Sequence, residues 1–106
     1  MKIDKYIFCF TKANQWASAK IGAQALSPTQ LQTLYCIRRI GNATNATIIQ
    51  YLRKMQNKAN ENAVSYALRD LTANGMLVKT GRTYNISPTG REYMAHVRRY
   101  LVNVRL

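Results

Sequence analysis

The stretch from Asn60 to Arg91 constrains the fold more than any other part of the chain. Over residues 60–74, at about 100° per residue, Ala63, Val64, Ala67, Leu68 and Leu71 gather on one arc of a helix. Asn62, Ser65, Tyr66 and Arg69 gather on the opposite arc. Gly75 follows and supplies a residue that takes positive φ readily, which predicts the helix end. Met76 to Lys79 and Thr83 to Ser87 then read as two arms of a short hairpin around Thr80-Gly81-Arg82. Ser87-Pro88 opens a further helix, because proline is pre-set for the first helical position. A helix, a hairpin and a helix start in that order predict a mainly α fold with a small β-hairpin.

The rest of the chain completes a set of five helices. Residues 4–21 place Ile3, Tyr6, Phe10, Ala13, Ala17 and Ile21 on one side at helical spacing, while Ile7 and Phe8 fall outside that stripe and form a second apolar surface that a partner subunit could cover. Ser27-Pro28 reads as an N-cap with proline at the first position; Leu31, Leu34 and Ile37 recur until Gly41 stops that helix. Thr44 or Asn45 caps the next one, which buries Ile48, Ile49 and Leu52 before the pattern fades over Arg53 to Ala59 into a helix end and a loop. Met94, Val97, Leu101 and Val104 form the seam of the last helix, from Pro88 to the C-terminal residues, flanked by Tyr93 and Tyr100. At 106 residues the expectation is one domain, 1–106, made of an N-terminal helical segment (1–26), a central segment (27–87) and a C-terminal helix (88–106).

Charge narrows the function. Sixteen Lys and Arg against four acids give a formal net charge of +12, a positive field that attracts polyanions and that mixed-sign solvated surfaces do not show. Enzymatic roles fail on inventory: the acids Asp4, Glu61, Asp70 and Glu92 and the single His96 form no acid–base or metal motif, and the glycines are too scattered to cradle a phosphate. His96 reads as a structural residue. No metal site and no cofactor are expected. Cys9 and Cys36 lack zinc spacing and read as buried reduced thiols. The longest apolar run, Tyr6 to Phe10, is far short of a membrane span, so the expected setting is cytoplasmic, at the nucleoid.

Double-stranded DNA is the partner this pattern suits best. The arc of Asn62, Ser65, Tyr66 and Arg69, with Asn60 at its start, offers hydrogen-bonding groups of the kind that meet base edges and phosphates in a major groove; a plainly solvated face is the competing reading. Lys79 and Arg82 at the hairpin tip suit a minor groove or a phosphate backbone, and Lys54 and Lys58 in the preceding loop suit the backbone. Arg91, Arg98 and Arg105 recur every seven residues along the last helix, which solvation explains as well as phosphate contact does. Trp16 and the seven tyrosines suit core packing better than a pocket for a small-molecule effector, about which the sequence is silent.

Three pieces carry a resemblance to winged helix-turn-helix regulators of the PadR and MarR type. Ile48-Ile49 with Leu52 resembles the buried positions of their second helix. Val64-Ser65-Tyr66-Ala67-Leu68-Arg69-Asp70-Leu71 with Asn74-Gly75-Met76-Leu77 resembles the recognition helix and its exit into the wing. Gly81 to Arg91 resembles the closing of the wing and the start of the next helix. The long Arg53–Ala59 loop is nearer to PadR-like spacing, and the wing lacks the acid–Arg pair common in MarR-like wings. The resemblance implies a winged helix-turn-helix with an additional N-terminal helix, acting as a homodimeric transcriptional regulator that binds duplex DNA sequence-specifically through residues 60–74 in the major groove and the wing, 76–87, beside it. Ile7, Phe8, Val97 and Leu101 are the expected dimer contacts. Two alternatives stay open: an architectural or replication protein of a mobile element that coats nucleic acid by charge, and a protein-interaction winged helix with Ile7, Phe8 and Trp16 as anchors.

Overall fold

The computed structural model describes the backbone of residues 2–56 and 60–103 and the side chains of residues 12–54 and 60–102. Its elements run α1 (Lys2–Ile21), α2 (Pro28–Ile40), β1 (Ala43–Thr44), α3 (Asn45–Gln56), α4 (Glu61–Ala73), β2 (Leu77–Thr80), β3 (Thr83–Ile86) and α5 (Pro88–Asn103). They divide into two compact units, Ser27–Arg91 and the pair of segments Met1–Leu26 with Glu92–Leu106.

Local chemistry sets the helix limits in the Ser27–Arg91 unit. The Ser27 hydroxyl accepts from the Gln30 backbone N–H at 3.2 Å while the Gln30 side chain accepts from the Ser27 N–H at 3.0 Å, a reciprocal capping box ahead of Pro28. Gly41, at φ 86°, closes α2. Thr44 and Thr47 repeat the reciprocal arrangement at the start of α3, each hydroxyl accepting the other's backbone N–H at 2.9 and 3.2 Å. Helix α4 ends in a Schellman motif: Gly75 N–H donates to Thr72 O at 3.1 Å and Met76 N–H to Leu71 O at 2.9 Å, with Gly75 at φ 78°. The core holds Leu34, Ile37, Ile48, Leu68, Leu71 and Met76, each essentially inaccessible, and each such burial contributes about 1.5 to 3 kcal/mol.

Three features differ from the sequence expectation. The sheet has three antiparallel strands in the order β1-β3-β2, where the sequence suggested a hairpin alone. Ala43 pairs Tyr84 and Thr44 pairs Thr83; a two-residue strand is too short to show an alternating pattern. The hairpin arms are Leu77–Thr80 and Thr83–Ile86, because Met76 belongs to the helix exit and Ser87 to the cap of α5. Helix α3 runs on past Arg53 to Gln56 although its apolar pattern has faded there; the remainder of the expected loop, 57–59, lies outside the described residues.

In the second unit, α1 buries Ala13 and Ala17, and α5 buries Tyr93, Met94 and Val97. A polar knot ties its segments. The Asn14 side-chain amide donates to Leu26 O and accepts from Leu26 N–H at 3.2 Å, so it pairs with that residue as a neighbouring strand would. The Tyr93 hydroxyl also accepts from Leu26 N–H at 3.3 Å and donates to Asn14, whose backbone oxygen lies at 3.0 Å and whose Oδ1 is also in reach. Burial pushes the Tyr93 phenol above its ordinary pKa.

Candidate nucleic-acid interface

Helix α4 is fixed at both ends before any side chain is considered for contact. Asn60 is its N-cap: Oδ1 accepts from the N–H groups of Asn62 at 3.0 Å and Ala63 at 3.1 Å. That engagement makes Asn60 first a cap, typically contributing about 1 kcal/mol, and leaves only its amide NH₂ for outside contacts. Glu61 in the first turn favours the positive end of the helix dipole and receives Arg53 of α3 at 3.2 Å. Both groups are well exposed, so this pair adds little stability. Val64, Ala67, Leu68 and Leu71 are buried as predicted, and α4 packs on α2, α3 and β2.

The opposite face is open. Asn62, Ser65, Tyr66 and Arg69 are all exposed, Tyr66 at 65% of its surface. Asp70, the neighbouring acid, accepts from the Gln30 amide of α2 at 3.4 Å. Ser65, at the edge of the arc, lies 3.4 Å from the Asn45 amide at the start of α3, so α3 touches the same face. Sequence reasoning missed that contact because Asn45 was legible only as a capping residue.

The hairpin follows α4 after Asn74, Gly75 and Met76. Thr80 pairs Thr83, leaving Gly81 and Arg82 as the two-residue tip, with Gly81 at φ 62°. Arg82 is exposed there. Lys79 is paired with Tyr84 across the strands and carries its ammonium 5.6 Å from the Tyr84 ring centre, a cation–π contact that holds the charge over the sheet face. A hydrogen bond from the Asn85 side-chain NH₂ to Asn42 Oδ1 at 2.7 Å braces β3 against the residue before β1.

Two more basic residues of this unit were passed over at the sequence level. Arg38 and Arg39 are exposed in the last turn of α2, and a hydrogen bond with Tyr51 of α3 is the main cause raising the Arg39 pKa above its ordinary value. Lys54 is exposed but sits on helix α3, not in a loop, and Lys58 lies outside the described residues. Among the expected dimer contacts, Val97 is 3% exposed and buried within its own chain, Leu101 is half-buried, and the side chains of Ile7 and Phe8 lie outside those described. Cys36 is a buried free thiol whose S–H faces Ile48 O at 3.9 Å; burial pushes its pKa up to about 11. Among the described residues, no cluster of three His, Cys, Asp or Glu could hold a metal, and no helix is long and apolar enough to cross a membrane.

With the short β1 between α2 and α3 and the β2–β3 hairpin after α4, the fold is winged-helix-like. Two solved structures share it. The activation domain of the phage T4 transcription factor MotA is 13% identical, with a TM-score of 0.66 over 85% of this chain and 90% of that one. A Pseudomonas aeruginosa PA01 protein, classed by inference as a transcriptional regulator, is 21% identical, with a TM-score of 0.58 over 93% of this chain and 69% of that one. At these identities the likeness is one of fold. No family model matches the chain, and no curated protein matches it in sequence.

Proposed function

We propose that the protein binds double-stranded DNA sequence-specifically as a transcriptional regulator, with α4 in the major groove and the wing on the adjacent backbone or minor groove. The observation that carries this reading is the exposed arc of Asn62, Ser65, Tyr66 and Arg69 on a helix capped at both ends, in the same compact unit as a hairpin bearing Lys79 and Arg82. The polar arc has hydrogen-bonding groups for base edges, and the net charge of +12 supplies the sequence-independent attraction to phosphate. Binding as a homodimer places two such helices in successive major grooves, about 34 to 36 Å apart. On α5 the half-buried Leu101 and the 72%-exposed Val102 suit a subunit contact, whereas Val97 offers no surface.

Fluorescence anisotropy of labelled genomic fragments against random duplex, at two salt concentrations and with the protein's mass measured in parallel, tests this. The expected result is a dimer that prefers particular fragments by roughly a thousandfold or more. Equal binding of every duplex, collapsing between about 50 and 200 mM salt, would replace the regulator with a charge-driven coating protein. A second reading has its own support: the MotA neighbour is by description an activation domain, and Trp16 on α1 is 45% exposed, 6.2 Å from the Tyr100 ring, with the Lys20 ammonium 4.4 Å from its own. Such a surface suits docking on another protein of the transcription machinery. That reading predicts no duplex binding at either salt.

A further inference from the structure

Tyr66 is out of character with its surroundings. It is the most exposed aromatic residue described, at 65%, and it stands in the middle of the polar arc, one turn after Asn62 and one turn before Arg69. Folding does not account for it: the ring is not in the core, and tyrosine forms helix less readily than the alanines and leucines of the same helix. A large ring exposed among hydrogen-bonding side chains is suited to an apolar group presented next to polar ones. The major-groove edge of an A·T pair has that composition, with the hydrogen-bonding groups of adenine beside the C5-methyl of thymine.

We propose that Tyr66 reads a thymine C5-methyl in the major groove, between an adenine read by Asn62 and a guanine read by Arg69. This rests on the duplex-DNA reading above and adds the base class at its centre. Asn62 and Arg69 are seven residue steps apart on α4, roughly 10 Å along the axis, comparable to three base-pair steps. Tyr66 falls between the two ends. Its ring is the arc's only sizeable apolar surface, since Ser65 is small and engaged with Asn45 at 3.4 Å.

The test removes only the methyl group. Duplexes with a randomised core are selected on the protein, and the most enriched duplex is resynthesised with deoxyuridine in place of thymidine at one position at a time. Uracil pairs identically and keeps the O4 acceptor. At one position per half-site the wild-type protein is expected to bind about fourfold more weakly, the effect of one buried methyl. Tyr66→Ala should bind the thymine and uracil duplexes equally, and Tyr66→Phe should keep the fourfold difference. Tolerance of uracil at every position would overturn the proposal, as would a thymine preference that survives in Tyr66→Ala. Loss of the preference in Tyr66→Phe would also overturn it, in favour of a hydroxyl contact. If no duplex is enriched over the starting pool, the sequence-specific reading itself fails, a result separable from every uracil outcome.

Discussion

Replacing Gly90 with alanine sets two ordinary effects against each other, and the structure decides which wins. In an open helix the change gains about 1 kcal/mol, because glycine is the poorer helix former. Here a Cβ at position 90 would lie 2.3 Å from the Met76 backbone oxygen and 2.8 Å from Cγ1 of Ile86. The first neighbour is backbone and cannot swing aside. Met76 O also accepts the Ser87 N–H at 3.0 Å, the Ser87 hydroxyl donates to Gly75 O at 2.6 Å, and the Gly90 N–H donates back to that hydroxyl at 3.0 Å. Pushing Met76 away therefore strains the junction where α4, the wing and α5 meet. Overpacking costs about 1 to 3 kcal/mol and a loosened hydrogen bond about 1. After the propensity gain is subtracted, Gly90→Ala should destabilise by about 1 to 3 kcal/mol, lowering the melting temperature by roughly 10 °C. Urea and thermal unfolding followed by circular dichroism would measure it. A variant as stable as the parent, or more stable, would show that the close approach of α5 to Met76 is wrong.

Three further outcomes are expected. Arg69→Ala should weaken binding to a selected duplex by about 1 to 3 kcal/mol while leaving random-duplex binding nearly unchanged; equal losses in anisotropy titrations of both would rule out base readout by this residue. Replacing Lys79 and Arg82 together with glutamine should reduce the slope of log affinity against log salt by about 2 for all sequences alike, and an unchanged slope would remove the wing from the phosphate backbone. Tyr93→Phe leaves part of the Asn14–Leu26 knot unsatisfied and should cost about 1 to 3 kcal/mol. Because the folded-state pKa of Tyr93 is raised, the stability it confers is complete below the ordinary tyrosine range and is lost as pH rises through and above it. Ultraviolet titration should therefore show an ionisation above the ordinary tyrosine range in the wild type that is missing in Tyr93→Phe; its absence from the wild type would contradict the burial of Tyr93.

The parts of this fold that were legible in the sequence are those in which one residue type answers one local demand. Ser27-Pro28, Gly41, Gly75 and Ser87-Pro88 mark helix ends because capping hydroxyls, a fixed φ and positive φ are local requirements, and the buried arc of α4 is legible because helical periodicity is a property of consecutive residues. What was not legible depends on pairing across distance. Strand β1 exists because Ala43 and Thr44 meet Tyr84 and Thr83 some forty residues later, and two residues carry no period. Nothing in the local sequence marks Gly90, yet its missing side chain is what lets α5 approach the Met76 carbonyl. The candidate site divides the same way. The exposure of Asn62, Ser65, Tyr66 and Arg69 follows from helical angle alone, whereas the approach of Asn45 to Ser65 appears only once α3 and α4 are placed. Asn60 shows how the two levels interact. Its polarity suggests DNA contact, but its side-chain carbonyl is already committed to the helix it starts, so its part in the proposed recognition is to orient α4. Asn60→Asp, which keeps the capping acceptor but removes the amide donor and adds a negative charge beside the duplex, separates the two roles: if capping dominates, the variant keeps its stability and loses affinity for all duplexes alike.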